Sequence, residues 1–127
     1  MGVRTKRAYE PAEPDDGYRV LIDRLWPRGV SKDAARIDQW ARDVAPSDEL
    51  RRWYGHEPAK FEEFARRYRA ELAGQADTVE ALRDRAKHGT VTIVFGARDA
   101  PHSNAAVLAP LLEAGGGDPP ATPEPAA

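Results

Sequence analysis

The chain has 127 residues, no cysteine, 41% hydrophobic and 31% charged residues, and a net charge of −2 from 19 basic and 21 acidic side chains. That is enough for one domain with one core, and it removes disulfides, thiolate metal sites and cysteine nucleophiles together. Two of the 21 acids, Asp118 and Glu124, lie in the last residues, so 1–113 carries 19 acids against 19 bases and is neutral, which argues against a general nucleic-acid binder.

No apolar run is long enough to span a bilayer. The N-terminus has no signal-peptide core, so a cytoplasmic location is expected.

In chain order, Val3 to Tyr9 has strand character with a basic face from Arg4 and Lys6. Glu10 to Gly17 holds two prolines and four acids and reads as a loop. Tyr18-Arg19-Val20-Leu21-Ile22-Asp23 reads as a buried strand and Trp26 to Gly29 as a turn, because Pro27 forbids helix at Trp26. Ser31 can cap a helix through about Trp40. Ser47 caps the next helix, which carries Leu50, Trp53 and Tyr54 and stops at Gly55.

Pro58 suits the first turn of a longer helix whose apolar face is Phe61, Phe64, Ala65, Tyr68 and Leu72, ended by Gly74. Asp77 with Glu80 resembles a capping box for a helix that buries Val79, Leu82 and Ala86 and stops at Gly89. Thr90 to Phe95 is nearly all apolar, as in a strand buried on both faces of a parallel sheet. Gly96 to Pro101 is a loop. Ala105 to Leu112 is a last helix that Pro110 should kink or end. The Gly/Pro/Ala-rich stretch 114–127 is expected to be a disordered tail on a single domain over 1–113.

These elements predict a small three-layer α/β fold: a short, mainly parallel sheet of about three strands flanked by about five helices. The Glu10–Gly17 connection has too few residues for a comfortable helical crossover, which leaves the relative direction of the first two strands open.

Two clusters sit where ligands of open α/β sheets bind, just beyond strand ends. At the first, Asp23, Arg24, Trp26 and Arg28 leave a buried strand. Arg24 and Arg28 would clamp a phosphate or carboxylate in two-point contacts, and Trp26 would stack on a ring or exclude water. The structural alternative pairs Asp23 with Arg24, buries Trp26 at the core edge and leaves Arg28 in solvent.

At the second, Arg98, Asp99, His102 and Asn104 precede the last helix. Its free N–H groups suit an anion, and His102 is the histidine placed for acid–base work, oriented by Asp99 or Asp23. Here the alternative makes Asp99 a helix cap, packs His102 on the first turn and has Asn104 satisfy a loop carbonyl. Arg66, Arg67 and Arg69 read as a solvated face, since Glu62–Arg66 and Glu63–Arg67 are favourable i,i+4 pairs. The three histidines lack metal-ligand spacing, and neither a P-loop nor a dinucleotide glycine pattern is present.

Read together, the chain resembles the YeaO-like branch of the domain of unknown function 488 family. The resemblance rests on Lys6-Arg7-Ala8-Tyr9-Glu10, on the run Gly17 to Lys32 with its Trp26-Pro27-Arg28-Gly29 block, on Ala45-Pro46-Ser47 with Leu50-Arg51 and Trp53, on Gly55-His56, Phe64, Arg67-Tyr68 and Glu71-Leu72, and on Ala97-Arg98-Asp99 with His102. It implies a small bacterial cytoplasmic protein and a parallel sheet, and names no reaction. The branch usually reads His-Asn before the last helix, where this chain has His102-Ser103. Broader relatives carry cysteines after the third strand, where this chain has Phe95-Gly96, so thiol chemistry cannot occur here.

The expected function is a pocket for a small anionic, phosphate- or nucleotide-like ligand, with no cofactor, and with His102, Asp99 and Asp23 moving protons if it is an enzyme. The rivals are a binding or regulatory module that touches nucleic acid, and a purely structural role in which the arginines lock the Trp26 loop.

Overall fold

The computed structural model describes residues 2–113; the tail expected over 114–127 lies outside them. Its central strand is β4 (Thr90–Phe95), with β1 (Gly2–Arg7) on one side and β2 (Tyr18–Leu21) on the other. A two-residue strand, β3 (Gln39–Trp40), adds to the far edge of β2, giving the order β1-β4-β2-β3 with every pair parallel. The question left open by the short first connection is thereby answered. Residues 8–17 join two parallel strands that are not neighbours, crossing β4 by way of a turn at Ala8–Tyr9 and one 3-10 turn at Pro14–Asp16, with no crossover helix.

Alternation along β2 and β4 sends two side-chain sets to opposite faces. Val20, Ile22, Val91, Ile93 and Phe95 enter the main core with side chains from α2 (Asp48–Tyr54), α3 (Phe61–Ala73), α4 (Ala76–His88) and α5 (Asn104–Glu113). Tyr68 is fully buried there, and its hydroxyl donates to the Val44 carbonyl. On the other face Ala8, Leu21 and Val94 pack against Trp26, Val30, Ile37 and Trp40. The third layer is therefore irregular chain with the single turn α1 (Lys32–Ala35).

The helix expected from Ser31 to about Trp40 is cut short. Ser31 caps it as foreseen, but Arg36 takes the left-handed conformation (φ 48°, ψ 46°), and Gln39 and Trp40 are drawn into the sheet beside Val20 and Leu21. Sheet hydrogen bonding and burial of Trp40 outweigh local helix propensity. A non-glycine residue at this φ is held at a cost. Arg36→Gly should raise the unfolding free energy by roughly 0.5–1 kcal/mol after the flexibility glycine adds to the unfolded chain; a loss in urea titration would show that the Arg36 side chain stabilises the turn.

Two smaller expectations are also corrected. The helix α4 starts at Ala76, too close behind α3 for Asp77 to act as its cap, and no side-chain cap is made there. Pro110 does not end α5, which runs on to Glu113. Pro110 is exposed while Val107, Leu108 and Leu112 are buried, and Arg83 donates to the Leu111 carbonyl at 3.1 and 2.7 Å. Burial of that face and this capping outweigh one lost backbone bond. No helix of the described residues is long and apolar enough to cross a membrane.

Candidate functional site

Beyond the carboxyl ends of β2 and β4 the chain divides. From β2 it turns to the Trp26 face, and from β4 it turns to α5 on the helical face. Strands whose connections leave to opposite faces open a crevice between their ends, the usual ligand position in an open α/β sheet. A cavity of about 480 Å³ lies there, within the range of small-molecule sites.

Asp23 stands at its floor. Its carboxylate accepts the Gly96 N–H at 2.8 Å and an Asn104 side-chain N–H at 3.2 Å, while its carbonyl accepts from Trp40 Nε1 at 2.7 Å. Asn104 also donates to the Ile22 carbonyl at 3.1 Å, so one amide ties the exit of β2 to the start of α5. A Cβ on residue 96 would stand 2.9 Å from Asp23 Oδ2, which is why glycine follows β4. Burial pushes the Asp23 carboxyl above the usual carboxylate range, against the opposing pull of its hydrogen bonds from Asn104 and Gly96.

The wall opposite comes from α2. Ser47 caps that helix, accepting the Leu50 N–H at 3.1 Å, and is itself anchored to Glu71 at 2.8 and 2.6 Å. The helix ends at Gly55 in the left-handed conformation (φ 53°), and His56 follows with φ 56°. That places Arg51, Arg52, Tyr54 and His56 on the cavity. Arg51 pairs with Asp48 at 2.8 Å, a bond that holds the Asp48 carboxyl below its usual range. Arg24 donates to the Pro46 carbonyl at 3.3 Å and lies 3.7 Å from Asp48. Arg52 and His56 make no ion pair and no side-chain hydrogen bond among the described residues. Tyr54 stacks on Phe64 (centroids 4.2 Å apart) and donates to the His102 carbonyl at 2.7 Å. His102 lies edge-on to Phe61 and bonds Asp99 through Nδ1 at 2.8 Å. When Nδ1–H donates to the Asp99 carboxylate, Nε2 carries the lone pair.

Of the residues singled out from sequence, Asp23, Arg24, Trp26, His102 and Asn104 line this one cavity, and Asp99 supports it through His102. Arg28 and Arg98, expected as ligand-binding residues, are not among the residues that line it. Both are exposed; the carbonyl of Arg28, not its guanidinium, takes the Tyr9 hydroxyl at 3.0 Å. Asp99 makes no cap bond, and Ser103 instead accepts the Ala106 N–H at 3.3 Å. Trp26 spends its N–H on the Val30 carbonyl and sets its ring edge-on to Trp40.

Arg51, Arg52, Tyr54 and His56 were not foreseen. Adjacent arginines in the last turn of a short helix ending in Gly-His were the available signal. Read alone they suit a helix C-terminus equally well.

Comparison with known proteins gives consistent relatives. An uncharacterised protein of Mycobacterium tuberculosis (Rv3073c) is 52% identical over 110 residues, covering 87% of this chain and 92% of its own length. An uncharacterised protein of Mycobacterium bovis (Mb3100c) matches equally. The uncharacterised YeaO of Escherichia coli is 40% identical over 112 residues, covering 88% of this chain and 97% of its own. No solved structure matches. A family profile described as the inactive DUF488-N3 subclade matches residues 2–118, and with these relatives it shows that the chain belongs to the DUF488 family.

Proposed function

We propose that the cavity is a non-catalytic binding site for a small anionic ligand of the phosphate or nucleotide kind. One observation carries this: Arg24, Arg51, Arg52, His56 and His102 line the space with a single acid, Asp23, whose charge is already engaged by two N–H donors. Arg52 lacks an ion pair among the described residues, and His56 stands in a left-handed backbone conformation, of the kind that clusters at ligand sites. Against catalysis stand the lack of any thiol, the commitment of the buried Ser103 hydroxyl to the Ala100 carbonyl, and the description of the matching subclade as inactive. The neutral charge balance of 1–113 counts against nucleic acid as partner, and a cytoplasmic location belongs to the same reading.

Isothermal titration with inorganic phosphate and AMP at low salt tests the reading. Arg52→Ala should weaken both by about tenfold or more, as expected for loss of a charge-assisted contact, while leaving stability within about 0.5 kcal/mol. Arg28→Ala should change neither affinity. Absence of heat with both anions at millimolar concentration rejects the proposal. The His102–Asp99 pair favours one second reading, acid–base chemistry on the bound ligand. Consumption of AMP seen by NMR, and abolished in His102→Ala, would select it.

A further inference from the structure

Asp23 is an expensive residue to keep in a cavity built for anions. A carboxylate offers about four acceptor positions. Gly96 and Asn104 fill two, and both donors are neutral. No cation forms an ion pair with Asp23 among the described residues, although Arg51 and His56 are near enough to influence it. Removing a carboxylate from water without a partner ion is costly. Gly96 and Asn104 use one oxygen each, so each oxygen keeps an acceptor position that neither of them fills. The carboxylate is also held firmly, by Trp40 on its own carbonyl and by Gly96, where a larger residue would displace it.

We infer that the ligand is a hydroxylated phosphate ester of the sugar-phosphate class, with its phosphate on the arginines and its hydroxyls donated to the free edge of Asp23. This rests on the anion-site reading above. An amine would serve a carboxylate equally well in isolation, but three arginines share the space and would repel a cation. A neutral hydroxyl meets no such opposition.

The test compares methyl phosphate with ribose 5-phosphate, which carry the same charged group, by isothermal titration of the full chain. The wild type should bind ribose 5-phosphate at least about tenfold more tightly, since a site built to accept a hydroxyl discriminates against a ligand lacking it. In Asp23→Asn the preference should shrink to within about threefold, because one acceptor oxygen is replaced by a donor. In amide NMR spectra of the wild type, the Gly96 signal should shift with ribose 5-phosphate and stay in place with methyl phosphate. Equal binding of both esters, or a preference that survives in Asp23→Asn, overturns the inference while leaving the anion site standing. If neither ester binds, the anion-site reading falls and this inference falls with it. Should Asp23→Asn not fold, the wild-type spectra decide: a Gly96 signal unmoved under bound ribose 5-phosphate overturns the inference.

Discussion

Asp16→Ala should cost about 3–5 kcal/mol of stability, the usual result of removing one member of a buried ion group. Asp16 is fully buried on the face of the sheet opposite the helices, between Lys6 (3.1 Å) and Arg19 (2.6 Å), whose side chains are 9% and 3% exposed. Its carboxylate also takes the Glu13 N–H at 3.0 Å, its carbonyl takes the Thr92 hydroxyl at 2.6 Å, and Lys6 reaches Glu13 at 2.7 Å. Without the carboxylate both cations are left in low dielectric with Glu13, which is mostly in water, as the remaining counter-charge. Arg19 already has one nitrogen, Nη2, buried with no partner.

The pH dependence of Asp16 follows the same group. Burial pushes its carboxyl up, but the Glu13 N–H, Lys6 and Arg19 together hold it below its usual 3.8. A depressed folded-state value gives stability that is present above 3.8 and lost as pH falls through the folded value. Acid unfolding of the wild type should therefore steepen below about pH 4, and Asp16→Ala should flatten that limb. Urea titrations of both proteins at pH 7 and pH 3 measure it. A loss under about 1 kcal/mol at pH 7 would mean that water reaches Lys6 and Arg19 and solvates them.

That network shows where sequence reading stops. The basic face of β1 and the acids of 10–17 were both legible, but reading Tyr18 to Asp23 as a buried strand left Arg19 unexplained. Its partners are Asp16, placed by the path of the 8–17 crossover, and the Ala35 carbonyl at the end of α1, and chain path is not a local property. The elements that were legible carry strong local chemistry: Ser47 and Gly55 bound α2, Phe61 to Leu72 repeat with helical period, and Thr90 to Phe95 is nearly all apolar. Strand β3 was illegible because two residues show no periodicity, and Trp40 joins the sheet only because β2 offers it an edge.

The candidate site divides along the same line. Asp23, His102 and Asn104 were visible because each follows a buried strand, a position with a general meaning in α/β folds. Arg24 was visible for the same reason and does line the cavity, whereas Arg28 and Arg98 share that sequence position, are exposed and do not line it. A turn residue's direction depends on torsions that sequence does not display. Arg51, Arg52 and His56 reach the cavity because α2 docks against α3 through Leu50, Tyr54 and Phe64, a tertiary event.

That docking yields the second large effect. Phe64 is 2% exposed, stacks on Tyr54, tilts against Tyr68 and lines the inner wall of the cavity. Phe64→Ala should cost about 3–5 kcal/mol, the transfer energy of the ring plus the void it leaves. Phe64→Leu, which keeps most of the volume, should cost less than about 1.5 kcal/mol. Phosphate titration separates the site from the fold in these variants. Phe64 contributes no charge, so Phe64→Leu should bind phosphate within about threefold of wild type. In Phe64→Ala, unlike Phe64→Leu, the Tyr54 ring loses the side-chain bulk it rests on, and with it the support for the helix end that carries Arg51, Arg52 and His56. Affinity should then fall by about tenfold in protein that circular dichroism shows to be folded, because small displacements of positioned groups weaken a site strongly. Loss of stability with unchanged phosphate affinity would mean that α2 is held by Ser47–Glu71 and Tyr54–His102 alone, and that the aromatic stack serves the core without shaping the cavity.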